Sequence, residues 1–418
     1  MAKRLGLTYE NLLLAILFFT FGTVFIDRTI ITTLFPKISA DLGLNNSQLG
    51  LLAGALALTW SFSGFVVGRV SDRLGKRKPL LLLAVVIFSL ACGFAGAAQT
   101  FAVLFLLRAV MGVAEGPVQP MMQTLMVAAS SERRRGVNMG LLQGSAPGLM
   151  GFVLAPPLLV WVAERLGWRS AFYVSCLPGL ILALLIWWLV KEPGQGQGTG
   201  EKIVHTGEKG KGSLGDLFKY YNVRVCVVVA VLACTWFFAI INFMPTFLEK
   251  DRHFKSGTMS LMLSALGAAW VFWGFFAPAL SDRFGRKPVM FTFLLIGVLA
   301  PLALLHVSNP YLLAALLFLT FTGPGCFSLF GATIPAETVP RYLVATALGT
   351  VMGIGEILGA FLAPIVEGRA ADRYGLSVTM WVAVGAGVLA ALFSLLVRET
   401  APVKVGKRLE ATEYVAAH

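Results

Sequence analysis

Charge is scarce in this sequence. Only 13% of its 418 residues are Asp, Glu, Lys or Arg, against about 25% in an ordinary soluble chain. Histidine is scarcer still: His205, His253 and His418 fall in loops or the tail and His306 at the edge of an apolar block, so none lies deep in one. The five cysteines (Cys92, Cys176, Cys226, Cys234, Cys326) sit in or beside apolar stretches and form no CxxC pair, which reads as small buried hydrophobes and not as a redox or zinc centre. "HTGEK" at 205–209 looks like a zinc-finger linker but has no flanking Cys and His ligands. No metal-ligand cluster, Ser–His constellation within the apolar blocks, phosphate-binding glycine loop or ATP motif occurs. These absences argue against an enzyme, a primary pump and any organic or metal cofactor. No soluble sensor domain is expected either, nor a cleavable signal peptide, because "NLLLAILFFTFGTVF" is too long and no small-residue cleavage site follows.

What the sequence has instead is apolar length. Residues of the hydrophobic set make up 57% of the chain, gathered in blocks of which many reach the roughly 20 residues a helix needs to cross a bilayer. Twelve spans are expected, at 11–35, 48–68, 80–98, 101–129, 136–162, 169–190, 223–247, 258–280, 288–306, 311–335, 342–366 and 376–397. The fold class is therefore an all-α, multi-pass membrane protein. Net charge +13 suggests a polyanionic partner until its distribution is counted. With the N-terminus in the cytoplasm, and with Arg169 and Arg224 at span ends counted with the adjoining loops, 24 of the 34 Lys and Arg fall in cytoplasmic segments, eight in external loops and two within spans. That bias is the positive-inside rule. The partner is a lipid bilayer and not nucleic acid, with both termini cytoplasmic, in a cell (inner) membrane.

The glycine-rich, charged stretch "PGQGQGTGEKIVHTGEKGKGS" lacks apolar periodicity and reads as a flexible linker. It sets the expected boundaries: a six-helix bundle over 1–190, a cytoplasmic linker over 191–222, a second six-helix bundle over 223–398 and a tail over 399–418. The halves also repeat each other. "GRVSDRLGKRKP" answers "PALSDRFGRKP" with Asp72 and Asp282 210 residues apart; Pro156 and Pro364, in "LAPPLL" and "LAPIVE", are 208 apart; Pro36 and Pro245 are 209 apart. A duplicated unit of this kind places a site at the midplane between halves, opened to each side in turn by rocking.

Charges inside spans carry the function. One costs roughly 3 kcal/mol at the bilayer centre, and five stand out: Asp27 and Arg28 in "FIDRTI", Arg108 and Glu115 in "RAVMGVAEGPVQP", and Glu356 in "TVMGIGEILGAF". Arg108 and Glu115 lie seven residues apart, nearly two helical turns, on one polar line that Gly112 and Gln119 continue. That line is expected to face a cavity. Asp27 and Arg28, being adjacent, differ in heading by about 100° and cannot point the same way. Gln143 in "MGLLQGSAPGLMGF" is either a ligand contact or an interhelical hydrogen bond. A permanent structural ion pair remains the alternative for the charged residues.

The loops "DRLGKRK" and "DRFGRK" resemble the loop motif of the major facilitator superfamily. The resemblance covers essentially the whole chain and implies two pseudo-symmetric six-helix bundles, with Asp72, Arg73, Asp282 and Arg283 gating access. "IDR", "RAVMGVAE" and "LLQG" are similar to its anion:cation symporter branch. That likeness implies substrate-anion contacts at Arg28, Arg108 and Gln143 and proton exchange at Asp27 and Glu115. An anion arriving at an arginine displaces the carboxylate paired with it, and a carboxylate stripped of its counter-ion in an apolar setting takes up a proton. Symport of a small organic anion with a proton, by a monomer, is the function this implies. Glu356 matches no part of that pattern; it is either a further proton site or a contact for a cationic or hydroxyl-rich part of the substrate. Two other readings stay open: a spinster-like carrier of lysolipids, suggested by "LGLNNSQLGLLAG", and a drug:proton antiporter, suggested by "GSAPGLMG".

Overall fold

The computed structural model describes residues 8–74, 76–192, 217–340, 343–401 and 404. Most of the expected linker (193–216) and tail (402–403, 405–418) therefore lies outside the described residues. Twelve long helices follow one another: α1 (Tyr9–Leu42), α2 (Asn46–Leu74), α3 (Lys78–Ala95), α4 (Phe101–Ala129), α5 (Arg134–Leu166), α6 (Trp168–Leu189), α7 (Tyr221–Lys250), α8 (Ser256–Phe284), α9 (Arg286–His306), α10 (Pro310–Thr338), α11 (Thr346–Tyr374) and α12 (Ser377–Ser394). Eleven of the described helices are long and apolar enough to span a bilayer, and α2, with 29 residues, matches them in length. α1 to α6 pack on one another, as do α7 to α12, and the two sets meet along α2 with α11, α5 with α8, and α1 with α7.

Local chemistry ends the helices in matching ways in the two halves. Glu192, just past α6, accepts the backbone N–H groups of Arg77 and Lys78 (2.7 and 2.9 Å) at the start of α3. Glu399, just past α12, does the same for Arg286 and Lys287 (2.8 and 3.2 Å) at the start of α9. A carboxylate on the first N–H groups of a helix satisfies donors that have no partner inside it. Beside these caps Lys191 lies over the Tyr9 ring and Arg398 over the Tyr221 ring. Gly167 (φ 84°) and Gly375 (φ 90°) turn α5 into α6 and α11 into α12, left-handed positions that favour glycine. The duplication legible in three motifs thus extends to caps and turns.

The midplane helices are not regular. α5 widens over Pro147–Leu154 and α11 over Glu356–Leu362, each to turns closed by i→i+5 hydrogen bonds. Both wide stretches end on the leucine of a "LAP" motif. Pro156 and Pro364 have no N–H to return to the carbonyl four residues back, so the preceding turn is free to open.

Burial shows which end is closed. The largest apolar core runs through both halves, with Leu34 and Phe35 of α1 in one cluster with Phe243 and Phe247 of α7, at the end away from the linker. Toward the linker each half keeps its own core, around Leu13, Phe88 and Met122 in the first and Cys226, Met290 and Phe330 in the second. The molecule is shut at one end, and its apolar packing is parted at the other.

Candidate functional site

Glycine sets the site's geometry. A Cβ on Gly112 would lie 2.0 Å from Thr59 Oγ1, and one on Gly116 would lie 2.4 Å from the Trp60 carbonyl. α2 and α4 therefore touch backbone to backbone, which brings Trp60 of α2 and Glu115 of α4 to the same spot on α1. Arg28 points into that spot. Its Nε donates to Glu115 Oε2 at 3.3 Å, and its guanidinium lies 3.5 Å from the Trp60 ring centroid and 5.3 Å from that of Phe25. Its two terminal nitrogens donate to no described residue. The Arg28 side chain is 21% exposed, whereas Glu115 is fully buried with Oε1 unpartnered among the described residues.

Arg108 is placed differently from Arg28, although the same role was expected of it. Its terminal nitrogens donate to the backbone carbonyls of Asp27 (2.9 Å) and Arg28 (3.1 Å), and only 3% of it is exposed. It braces α4 to α1 and so fixes the backbone from which Arg28 projects. The polar line of α4 accordingly faces α1 and α2, where Gly112 is a packing contact, and not open space. Asp27 turns away from Arg28, toward the Cys92 thiol of α3. It is wholly buried, and both of its oxygens lack a hydrogen bond of ordinary length among the described residues. The two neighbours of "FIDRTI" thus face different sides of α1, as their spacing demands.

Gln143, in the first wide turn of α5, is exposed, and its Oε1 accepts from Gln119 Nε2 at 3.5 Å. The second half contributes Glu356, which opens the wide turn of α11. Ser61 Oγ of α2 lies 2.9 Å from Glu356 Oε2, a bond that crosses between halves. Glu356 is near enough for its charge to act on Arg28. Around this cluster stand rings from both halves: Trp270 of α8 meets Phe25, Phe152 and Phe237 with centroids 5.2 to 5.9 Å apart. Trp60, Ser61 and Trp270 were not singled out in the sequence; the run "LTWSFSG" in α2 was the available signal.

The gating residues divide. The side chains of Asp72 and Arg73 lie outside the described residues. Asp282 accepts a hydrogen bond from Arg286, which also binds Ser281 and Glu337 (2.9 Å), so its partner lies in its own half. Arg283 rests near the Phe284 ring. At the closed end further polar contacts join the halves. Asp372 of α11 accepts the backbone N–H groups of Asn46 and Ser47 (2.8 Å each) and the Ser47 hydroxyl at the start of α2, and Lys250 of α7 donates to Ser39 Oγ of α1 at 2.9 Å.

Known proteins agree with this architecture. A bacterial homologue of the lysosomal transporter Spinster, solved in an inward-facing and unoccupied conformation, superposes with a TM-score of 0.78 over 93% of this chain and 97% of its own, at 20% identity. A probable 4-methylmuconolactone transporter of Cupriavidus pinatubonensis is 29% identical over 347 residues, covering 80% of this chain and 78% of its own. A D-galactonate transporter of Escherichia coli is 24% identical, covering 87% and 90%. These relatives are transporters, not enzymes. The family model described as Major Facilitator Superfamily matches residues 17–356 and 274–414. With two six-helix sets and a family model that matches most of its length, the chain belongs to the major facilitator superfamily.

Proposed function

We propose that the chain is a secondary active transporter that carries a small organic anion, a carboxylate or sugar acid, together with a proton. The observation that carries this reading is Arg28: a guanidinium stacked on Trp60, paired through one nitrogen with buried Glu115, and with its outer nitrogens unbonded among the described residues. Such a planar fork suits a bidentate carboxylate. The names of the relatives, one a transporter of galactonate and one of a muconolactone, support the same class.

Charge counting supports the proton. The cluster holds two cations, Arg28 and Arg108, and three acids, Asp27, Glu115 and Glu356. Fully ionised it sums to −1, and a bound monoanion makes that −2 in an apolar setting. Excess charge there is costly, and protonating a carboxylate relieves it. Glu115 is the group placed to respond, because the anion competes with it for Arg28. Asp27, turned to the far side of α1, is a second proton site. Arg108 contributes by holding the α1 backbone, and Gln143 by contacting the substrate from α5. With the linker and both termini in the cytoplasm of a bacterial inner-membrane protein, the parted end faces inward. The transporter acts as a monomer, and Asp72, Arg73, Asp282 and Arg283 serve the gate on the linker side.

The test is uptake of labelled organic acids into proteoliposomes under an imposed pH gradient, with a lysophospholipid and a cationic drug as comparison substrates. An inward proton gradient drives accumulation of the acid by the native protein. Glu115→Gln keeps substrate exchange but loses accumulation. Accumulation unchanged in that variant, or uptake only of the comparison substrates, sinks the reading.

A further inference from the structure

Glu356 remains without a use in the anion mechanism. The first half supplies the guanidinium, its carboxylate and its stacking ring, while the second half meets that cluster with aromatic rings and one ionisable side chain. A ligand that drives alternating access must be gripped by both halves, since only a ligand favouring the closed-over state shifts the populations. The second half's polar grip is therefore an acceptor, and an acceptor requires a donor on the substrate.

The identity of that donor can be read from the group now in its place. Ser61 Oγ lies 2.9 Å from Glu356 Oε2 but also 3.0 Å from the Ala57 carbonyl. Its single hydroxyl proton cannot serve both, so Glu356 is only partly satisfied, and its second oxygen accepts no hydrogen bond from a described residue. The wide turn that starts at Glu356 places this carboxyl between halves, within electrostatic reach of Arg28. The stand-in is an alcohol. A substrate hydroxyl is its chemical equivalent and would free Ser61 to return to the Ala57 carbonyl, the usual bond of a serine within a helix.

We propose that Glu356 is a specificity residue that accepts a hydrogen bond from a hydroxyl of the substrate, displacing Ser61, so that the preferred cargo is a hydroxylated carboxylate. This rests on Arg28 holding the carboxylate, as above. A site built to bond a hydroxyl rejects the analogue that lacks it, because its polar group is then left unpaired.

Matched pairs test this on the purified full chain by thermal shift and by proteoliposome counterflow: gluconate against hexanoate, glycerate against propionate, 4-hydroxybenzoate against benzoate. In the native protein a hydroxylated member is expected to act at a concentration at least about tenfold below that of its partner. Glu356→Leu removes that preference by weakening the hydroxylated member alone. Glu356→Gln, whose amide oxygen still accepts, keeps most of it. Ser61→Ala, which removes the competing alcohol, leaves the hydroxylated acid bound as tightly or more tightly, a result that a purely structural Ser61–Glu356 bond would not give. If acids bind but the pairs do not differ, if Glu356→Leu weakens both members alike, or if an amino acid zwitterion outcompetes every hydroxy acid, the role of Glu356 is overturned and that of Arg28 stands. If no acid binds, both fall.

Discussion

At the closed end, α2 and α11 cross so tightly that a single methyl group can be used as a wedge. A Cβ on Gly50 would lie 2.1 Å from the Pro364 carbonyl oxygen, 2.8 Å from its carbon and 3.2 Å from Ile365 Cα. All three atoms are backbone and cannot rotate away. Carbon and carbonyl oxygen approach to about 3.3 Å at closest, so Gly50→Ala must separate the helices locally by roughly 1 Å. A gap of that size forfeits a quarter to a half of the dispersion energy of the atoms around it, and overpacking of this kind costs about 1–3 kcal/mol. The strain exists only while this end is shut. The conformational equilibrium therefore shifts toward the state open at the opposite end by roughly 5- to 150-fold.

The fold itself should tolerate the change, because alanine is favoured over glycine inside a helix by about 1 kcal/mol. Hydrogen–deuterium exchange reads the outcome without adding a label. Gly50→Ala is expected to speed exchange in the first turns of α2 and the last turns of α11, and to slow it at the linker end. Gly257→Ala, at a glycine of α8 with nothing within 4 Å, is the control and leaves exchange unaltered. Native exchange and native transport in Gly50→Ala would refute the assignment of this crossing as the closed gate.

Other perturbations follow the same logic. Asp372→Asn keeps the shape of the α2 clasp but loses its charge on the helix N-terminus; because Asp372 is exposed, about 1 kcal/mol is at stake, so exchange should change in the same direction as in Gly50→Ala but less, and the difference should shrink in high salt. Arg28→Lys replaces a stacked planar fork by a point charge and should raise the KM for the acid at least about tenfold, with Trp60→Leu giving a smaller rise; an unaffected KM would remove Arg28 from the substrate site. Glu192→Gln and Glu399→Gln each weaken one helix cap and should lower unfolding stability by about 1 kcal/mol apiece. The caps lie in separate halves, so the losses should add, and a loss in only one of the two variants would contradict the equivalence of the caps.

Much of this was legible in the sequence because the bilayer simplifies the physics. Apolar length alone marked the helices, and the repeats at Asp72, Pro156 and Pro36 marked the duplication. The divergent headings of Asp27 and Arg28 followed from helix geometry. The use made of each charge did not follow. Arg108 and Arg28 look alike as basic residues in spans, but their surroundings depend on where neighbouring helices pass: the α1 carbonyls take up Arg108, while Gly112 and Gly116 let α2 approach and set Trp60 against Arg28. The gate was sought in the charged loops near the linker; the polar clasps between halves at the other end were not anticipated. There Gly50 and Asp372 act through backbone atoms, and backbone atoms leave no signature in residue type.

The two halves also show what duplication does and does not preserve. Caps, turns and wide stretches survive in both, since each solves a problem that every six-helix unit has: unpaired N–H groups at a helix start, a reversal needing left-handed backbone, a proline without a donor. The charged pair of the fourth helix survives in one half only. α4 carries Arg108 and Glu115, while the corresponding stretch of α10 reads "FTGPGCF", and Glu356 stands in α11 where the equivalent position of α5 is Gly148. In the function proposed above, a site with its cations all on one side would give the substrate an orientation: carboxylate toward the first half, remainder toward the second. Rocking of the halves would then stretch the ligand's bonds to one partner before the other. Release toward either face would be governed by the weaker contact, on the second half, while the charge stays matched on the first.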